Sequence, residues 1–179
     1  MVNVAILGYG VVGSGVYEVI RKNEKSIEKK TGGKAIRVTH ILDLRDFPDH
    51  VQPELFTKNF DDIINDPDVS IVVEVMGGLS PAYEYSKAAL LAGKNVVTSN
   101  KALVAEHGTE LMAIAKENNI NYLFEASVGG GIPIIRPLSQ CLLANEIEEI
   151  YGILNGTTNY ILTKISSTSS DDGNINKED

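Results

Sequence analysis

The sequence predicts an α/β fold in which helices cover both faces of a doubly wound parallel sheet. Short apolar runs alternate with helical patterns from residue 2 to residue 124, which is typical of a parallel sheet with right-handed crossovers. The first run passes directly into a glycine-rich turn at 8–13 and then into a helical pattern. The run 70–75 is nearly all apolar and β-branched, as expected of a strand covered on both faces.

The predicted elements up to residue 124 follow from these patterns. A first strand at 2–7 leads to a long helix at 11–30. A strand near 36–43 precedes a loop at 46–59, which contains two prolines, and a short helix at 60–65. Ser80 and Pro81 predict the N-cap and first residue of a helix that ends at Gly93. The other predicted strands are 70–75, 95–98 and 121–124, and a further helix is predicted at 105–118.

Beyond residue 124 the alternation ends. A glycine-rich turn at 125–133 precedes an apolar helix at 134–143, a strand at 147–154 and a helix that opens at Asn155. Cys141 lies between apolar residues of the helix predicted at 134–143 and is expected to be buried and inert. Residues 166–179 contain one aliphatic residue, so this polar tail is predicted to be disordered. We therefore predict a sheet domain at 1–130, the start of a truncated second domain at 131–165, and the tail.

The composition limits the possible classes of function. The net charge of −8 disfavours a nucleic-acid-binding surface, which needs an excess of Lys and Arg. No apolar run approaches the roughly 18 residues of a membrane span, and the early first strand argues against a secretory signal. A single cysteine excludes an internal disulfide. We expect a cytoplasmic protein whose partners are small molecules.

Gly8, Gly10 and Gly13 form a G-x-G-x-x-G fingerprint. Gly8 allows a tight turn, Gly10 lets the backbone approach a pyrophosphate, and Gly13 lets the helix pack closely on the strand. The N-terminus of that helix offers free N–H groups to the phosphates. Because the fingerprint lies between a strand and a helix, it predicts a Rossmann-like domain that binds a dinucleotide.

Asp43 and Arg45, at the end of the second strand, bear on the choice of dinucleotide. Asp43 ends that strand, where an acidic residue can accept a hydrogen bond from the adenine ribose of NAD. It lies 30 positions after Gly13, beyond the usual spacing of about 20, because the first helix is long. Arg45 instead suits the 2′-phosphate of NADP. The sequence leaves both cofactors open.

The ends of the third and fourth strands carry further candidates. Gly77 and Gly78 follow the third strand. They either form a simple turn between the strand and the next helix, or they let the backbone approach the nicotinamide ribose closely. Ser99 and Lys101 follow the fourth strand at the same edge. Lys101 is either a solvated lysine or a group that holds a substrate carboxylate or donates a proton.

The turn that contains Glu125 has two interpretations. It is either a structural turn with a surface acid or a cation site, because glycines let carbonyl oxygens converge and a carboxylate adds a hard ligand. His40, His50 and His107 show no spacing typical of metal ligands.

Four segments together resemble the homoserine dehydrogenase family up to about residue 165. They are the fingerprint at 8–13, the segment VTSNKA at 97–102, the segment FEASVGGGIP at 124–133 and the segment GILNGTTNYIL at 152–162. The resemblance implies an enzyme that interconverts L-homoserine and aspartate 4-semialdehyde with NAD(P), on the route to threonine and methionine.

The resemblance also assigns roles by position. It implies that Gly10, Val11 and Val12 contact the dinucleotide, and that Ser99 and Lys101 lie near the nicotinamide, with Lys101 also facing the substrate. It implies a sodium site formed by Glu125 and by the backbone carbonyls of three further residues: Val128, Gly130 and Ile132.

The family's substrate-binding carboxylates and catalytic lysine lie in a region that this sequence lacks. Lys101 is the sole local substitute as proton donor, so we expect NAD(P) binding with weak or no turnover. One alternative is a noncatalytic NAD(P)-binding module that associates with a full-length subunit, or with itself as a homo-oligomer. Another is aspartate semialdehyde dehydrogenase, which needs a nucleophilic cysteine that the surroundings of Cys141 do not favour.

Overall fold

The computed structural model describes residues 1–152 and 156–171, without the side chains of 156–157 and 168–171. Within these residues, six strands form one parallel sheet in the order β3-β2-β1-β4-β5-β6. The order reverses direction between β1 and β4, which makes this pair the switch point of a doubly wound sheet. The predicted Rossmann-like fold is confirmed.

The elements lie close to their predicted positions in the sheet domain. The strands are β1 Val2–Leu7, β2 Ile36–Leu42, β3 Phe56–Thr57, β4 Val69–Glu74, β5 Asn95–Thr98 and β6 Tyr122–Leu123. The helices of this domain are α1 Val11–Lys22, α2 Glu24–Lys30, α3 Asp61–Ile64, α4 Ala82–Leu91 and α5 Lys101–Glu117, and α6 Gly156–Asp171 follows it.

The two faces of the sheet pack against different helices. One core, which includes Leu7, Val72 and Leu111, lies under α4 and α5. The other includes Ile6, Ile41 and Tyr17 and lies under α1. Alternate residues of β1 and β4 enter opposite cores. Both strands lie in the centre of the sheet and are largely buried, and the apolar area that each buries on its two faces stabilises the fold.

Local differences from the predicted elements have clear causes. The long first helix is broken at Asn23, whose side-chain amide donates to the Val19 carbonyl and ends α1. The predicted loop at 46–59 contains β3, which is too short to leave a pattern. Ser80 does not cap α4, because Pro81 occupies the cap position. Helix α5 begins at Lys101, four residues early, because the Asn100 side chain caps it through the Leu103 N–H.

The segment after residue 124 departs most from prediction. The apolar helix predicted at 134–143 forms only a short helical turn, Pro137–Cys141, and Cys141 is exposed rather than buried. Residues 147–152 of the predicted strand form no strand, and Ile150 and Tyr151 are exposed. No described strand pairs with residues 125–152, and many of their apolar side chains stay exposed, among them Leu143 and Ile147.

Helix α6 includes part of the predicted tail. It continues through 166–171, where Ser167 Oγ donates to the Lys164 carbonyl at 2.9 Å. Residues 172–179 and Asn155 lie outside the described residues. Among the helices that are described, none has both the length and the hydropathy to cross a bilayer.

Candidate functional site

A pocket of about 440 Å³ opens at the carboxyl edge of the sheet, where β1, β2 and β4 end. Ligands of doubly wound proteins bind at this edge next to the switch point. The pocket is lined by the loops that follow these strands, including Gly8, Gly10, Asp43, Arg45 and Met76. The structure therefore brings the predicted fingerprint and the predicted selectivity residues together.

The three fingerprint glycines meet different physical demands. Gly8 has φ +96°, and a Cβ there would lie 3.1 Å from the Met76 backbone. A Cβ on Gly13 would lie 2.0 Å from the Gly8 carbonyl oxygen, so no larger residue fits without moving the loop. Gly10 faces open space, since a Cβ there would meet no atom within 4 Å, and its backbone is accessible from the pocket.

The N-terminus of α1 faces the pocket beside Gly10. Gly10 is the N-cap residue and provides no side-chain hydrogen bond, while Val11 and Val12 are both exposed. The first-turn N–H groups of a helix have no partners within the helix and carry a partial positive charge. The arrangement is suited to bind an anionic group such as a pyrophosphate.

Asp43 is held in place by four hydrogen bonds. Its Oδ1 accepts from the Arg45 backbone N–H at 3.0 Å and from Arg45 Nε at 2.9 Å. Its Oδ2 accepts from Arg45 Nη2 and from the Tyr9 backbone N–H, both at 2.8 Å. The Arg45 side chain is the main reason that the pKa of Asp43 lies well below its usual value. The carboxylate is ionised and joins the fingerprint loop to the end of β2.

Two residues of the site were missed by sequence reasoning. Tyr9 packs its ring edge-on against Phe47 and Phe56, and its hydroxyl lies 2.9 Å from His50 Nε2. This aromatic cluster holds the fingerprint loop against the segment 47–56. The aromatic residues of that segment are the sequence feature that could have indicated this contact. Lys58 lines the same pocket as Arg45 and adds a second cation, although its Nζ also pairs with Asp46.

The remaining predicted cofactor residues lie on the neighbouring strand ends, outside that pocket's lining. Gly77 follows β4 with φ +80°. The Ser99 N–H donates to the Glu74 carbonyl at 3.4 Å, and Lys101 is exposed as the first residue of α5. These residues share the carboxyl edge with Gly8 and Gly10, as predicted.

Comparisons with known proteins agree with this geometry. A family profile described as "Homoserine dehydrogenase, NAD binding domain" matches residues 8–125, and one described as "Homoserine dehydrogenase" matches 133–176. The chain belongs to the homoserine dehydrogenase family. The sequence resemblance therefore extends past residue 165, where it was expected to stop, and covers most of the predicted tail.

Three homoserine dehydrogenases illustrate the similarity. That of Synechocystis is 43% identical over 172 residues, covering 95% of this chain and 39% of the relative. The crystal structure from Thiobacillus denitrificans superposes with a TM-score of 0.83 at 43% identity, over 92% of this chain and 38% of that one. A hyperthermophilic archaeal mutant in complex with NADPH has a TM-score of 0.66 at 31% identity, over 80% of this chain and 49% of that one. The chain spans about two fifths of the curated relative.

Glu125, the acidic member of the sodium site implied by the family, has another use in this structure. Its carboxylate accepts backbone N–H groups of Ile134, Ile135 and Arg136 at 2.5 to 2.9 Å. These hydrogen bonds, that of Ile134 first, lower the pKa of Glu125. Two of these donors bind Oε1 and one binds Oε2, so the three hydrogen bonds fix the carboxylate in the turn. Among the described residues no cluster of three or more His, Cys, Asp or Glu side chains could hold a metal.

Proposed function

We propose that this chain binds NADP(H) at the carboxyl edge of its sheet, as the dinucleotide-binding part of a homoserine dehydrogenase. The observation that carries the proposal is the geometry at the switch point. The fingerprint loop, which includes the N-cap residue Gly10 of α1, and the pair Asp43–Arg45 line one pocket. The reaction would interconvert L-homoserine and aspartate 4-semialdehyde, in the cytoplasmic synthesis of threonine and methionine.

The preference for NADP(H) over NAD(H) is inferred from Asp43. To hold NAD, this carboxylate would accept a hydroxyl of the adenine ribose. Its two oxygens already accept four hydrogen bonds, which fills the acceptor sites of a carboxylate. Arg45 and Lys58 place two cations on the same pocket wall, and a 2′-phosphate would be attracted to both.

Each part of the site would have a separate role in binding. The N–H groups of Val11 and Val12 would hold the pyrophosphate beside Gly10. Gly77 and Ser99 would lie against the nicotinamide half. The bound nicotinamide supplies or accepts the hydride. Lys101 would face the substrate and give a proton to the alkoxide that forms when the aldehyde is reduced.

Turnover by the 179-residue chain itself is proposed to be weak or absent. It spans 39% of the Synechocystis relative, and the family resemblance assigns substrate binding and proton transfer to a region outside these 179 residues. Lys101 is exposed at the start of α5, where water competes with any proton transfer. Binding without turnover is therefore the expected behaviour.

A second candidate function is a noncatalytic NADP(H)-binding module that associates with a full-length subunit or with another copy of itself. Apolar side chains stay exposed on the C-terminal part of the chain, among them Ile150, Tyr151, Tyr160, Ile161 and Leu162. Contiguous exposed apolar surface is typical of an interaction site.

The sodium site stays a prediction. Its candidate ligands are the Glu125 carboxylate, whose Oε2 accepts one backbone N–H, and the carbonyl oxygens of Val128, Gly130 and Ile132. No chemical step of the proposed reaction depends on this ion.

Titration of the purified chain with NADPH, followed by nicotinamide fluorescence, tests the proposal. Saturable binding with little oxidation of added homoserine is the expected result, because these 179 residues form the pocket but do not include the region to which the family resemblance assigns catalysis. Absence of NADPH and NADH binding by a folded chain would overturn the binding proposal. Rapid homoserine oxidation would overturn the expectation of weak turnover and leave the binding proposal standing.

A further inference from the structure

A fully buried carboxylate lies beneath the loops that follow β4 and β5. Glu74 is the last residue of β4 and is 0% exposed. Among the described residues, no lysine, arginine or histidine forms an ion pair with it. A buried charge without a cation destabilises a fold unless hydrogen bonds compensate it. Hydrogen bonds from neighbouring groups are therefore needed to stabilise the Glu74 carboxylate.

Glu74 makes its hydrogen bonds to both of the loops above it. Oε1 accepts the Met76 N–H at 2.9 Å, in the loop that continues to Gly77. Oε2 accepts the Thr98 hydroxyl at 2.6 Å, at the end of β5. Thr98 Oγ1 in turn accepts the Asn100 N–H at 2.9 Å.

Asn100 extends the same network to the glycine turn and to α5. Its Nδ2 donates to the Gly78 carbonyl at 2.6 Å and lies 3.5 Å from Glu74 Oε1. Its Oδ1 accepts the Leu103 N–H, which caps α5. The positive end of α5 also favours a carboxylate nearby. Glu74 thus joins the loop with Gly77 and Gly78 to the segment that carries Ser99 and Lys101.

A second buried polar group lies close to Glu74. The Tyr122 hydroxyl has no hydrogen bond partner within the part of the chain that the structure describes. Burial first, and the charge of Glu74 second, raise the pKa of Tyr122. Tyr122 therefore does not compensate the charge of Glu74, and the compensation comes from the two loops and from α5.

We infer that Glu74 is a positioning residue for the nicotinamide half of the bound dinucleotide. This inference rests on the proposed function, because it assigns a role within the same site. The carboxylate does not reach the pocket. It fixes the relative position of Gly77 and Ser99, the two groups between which the nicotinamide ribose would lie. Apolar or amide residues would fill the same volume without burying a charge, but they would lose one or both links between the loops.

The test compares NADPH with 2′-phospho-ADP, which lacks both the nicotinamide and its ribose. The two ligands are titrated by calorimetry into the wild-type chain, Glu74→Gln and Thr98→Val. Glu74→Gln keeps the size of the side chain but replaces one acceptor by a donor that faces the Thr98 hydroxyl. Thr98→Val removes the hydroxyl but keeps the size of the side chain. It is the second test variant if Glu74→Gln does not fold.

The matched control is Lys94→Met. Lys94 is also buried, but its Nζ donates to the Asp66 and Val69 carbonyls at the opposite edge of the sheet. Its loss is expected to lower the stability of the fold without changing the preference between the two ligands. It separates general destabilisation from a local effect on the nicotinamide half.

Both site variants are expected to weaken NADPH binding about tenfold, the size of effect typical of a lost hydrogen bond to a charged group. Binding of 2′-phospho-ADP is expected to change less than about twofold, which also shows that the variant is folded. Equal weakening of both ligands, or no weakening of NADPH, overturns the inference. Failure of the wild type to bind either ligand overturns the proposed function and the inference with it.

Discussion

Replacement of Arg45 by alanine tests the proposed cofactor preference most directly. Arg45 Nε and Nη2 donate to the Asp43 carboxylate at 2.9 and 2.8 Å, and Nη2 also donates to the Tyr9 carbonyl at 3.0 Å. The Arg45 side chain is 62% exposed, whereas that of Asp43 is 9% exposed. The substitution therefore removes an accessible cation and frees the carboxylate beside it.

The expected magnitude follows from these contacts. A hydrogen bond to a charged group contributes about 1.5–3 kcal/mol. Solvent screens a guanidinium as exposed as that of Arg45, so its contact with a 2′-phosphate is weaker than a buried contact of the same kind. We therefore expect a loss of at most about tenfold in NADPH affinity. NADH lacks the phosphate, and Asp43, freed from the two side-chain hydrogen bonds of Arg45, would be able to accept its ribose hydroxyl.

The assay is a pair of fluorescence titrations with NADPH and NADH, on the wild type, on Arg45→Ala and on Lys29→Ala. Lys29 is exposed on α2, so its replacement removes the same charge away from the pocket. We expect the ratio of the two dissociation constants to move about tenfold toward NADH in Arg45→Ala only. The effect should decrease as salt is added. An unchanged ratio, or an equal shift in Lys29→Ala, would refute the assignment of Arg45 to the 2′-phosphate.

Two further predictions concern stability. Gly13→Ala should lower the free energy of unfolding in urea by about 1–3 kcal/mol and abolish NADPH binding, because its Cβ would lie 2.0 Å from the Gly8 carbonyl oxygen. Gly15→Ala, with open space at the Cβ position in the same helix, should instead stabilise by about 0.5–1 kcal/mol; a similar loss in both variants would contradict this. The lowered pKa of Glu125 means that its carboxylate stabilises the turn above the pKa of the unfolded chain, about 4.3, and that this contribution is lost as the pH falls through the folded-state value. The protection of the Ile134 amide against exchange, relative to its intrinsic rate at each pH, should therefore fall in that acidic window in the wild type, whereas in Glu125→Gln it should be low at every pH; equal protection in both proteins would count against this role.

The sheet domain could be predicted from sequence because its signals are local. The strands β1 and β4 are apolar runs, and Gly8 and Gly13 mark a turn whose geometry excludes a Cβ at both positions. The parallel order then brings Gly8 and Asp43 together, since consecutive parallel strands end at one edge. These features depend on few residues at fixed spacing, which a sequence records directly.

The network around Glu74 could not be predicted in the same way. Its partners Met76, Thr98 and Asn100 come from two strand ends about 25 residues apart, and each is an ordinary residue by itself. Tyr9 and Lys58 were missed for the same reason. Tyr9 occupies a variable position of the fingerprint, and Lys58 follows the two-residue strand β3. Side chains that acquire a role only through tertiary contacts leave no periodic signal.

The segment after residue 124 shows the opposite case, in which a strong apolar pattern did not produce the predicted element. Ile147, Ile150 and Tyr151 have the composition of a strand, yet they are exposed and unpaired with any described strand. Apolar patterning specifies which side chains need burial, while the formation of a strand also requires a neighbour that accepts its backbone hydrogen bonds. The second family profile begins at residue 133, where this mismatch is concentrated. Among the described residues, Ile147, Ile150 and Tyr151 therefore lack the neighbouring strand that such an element needs, whereas the sheet domain alone lines the pocket at its carboxyl edge.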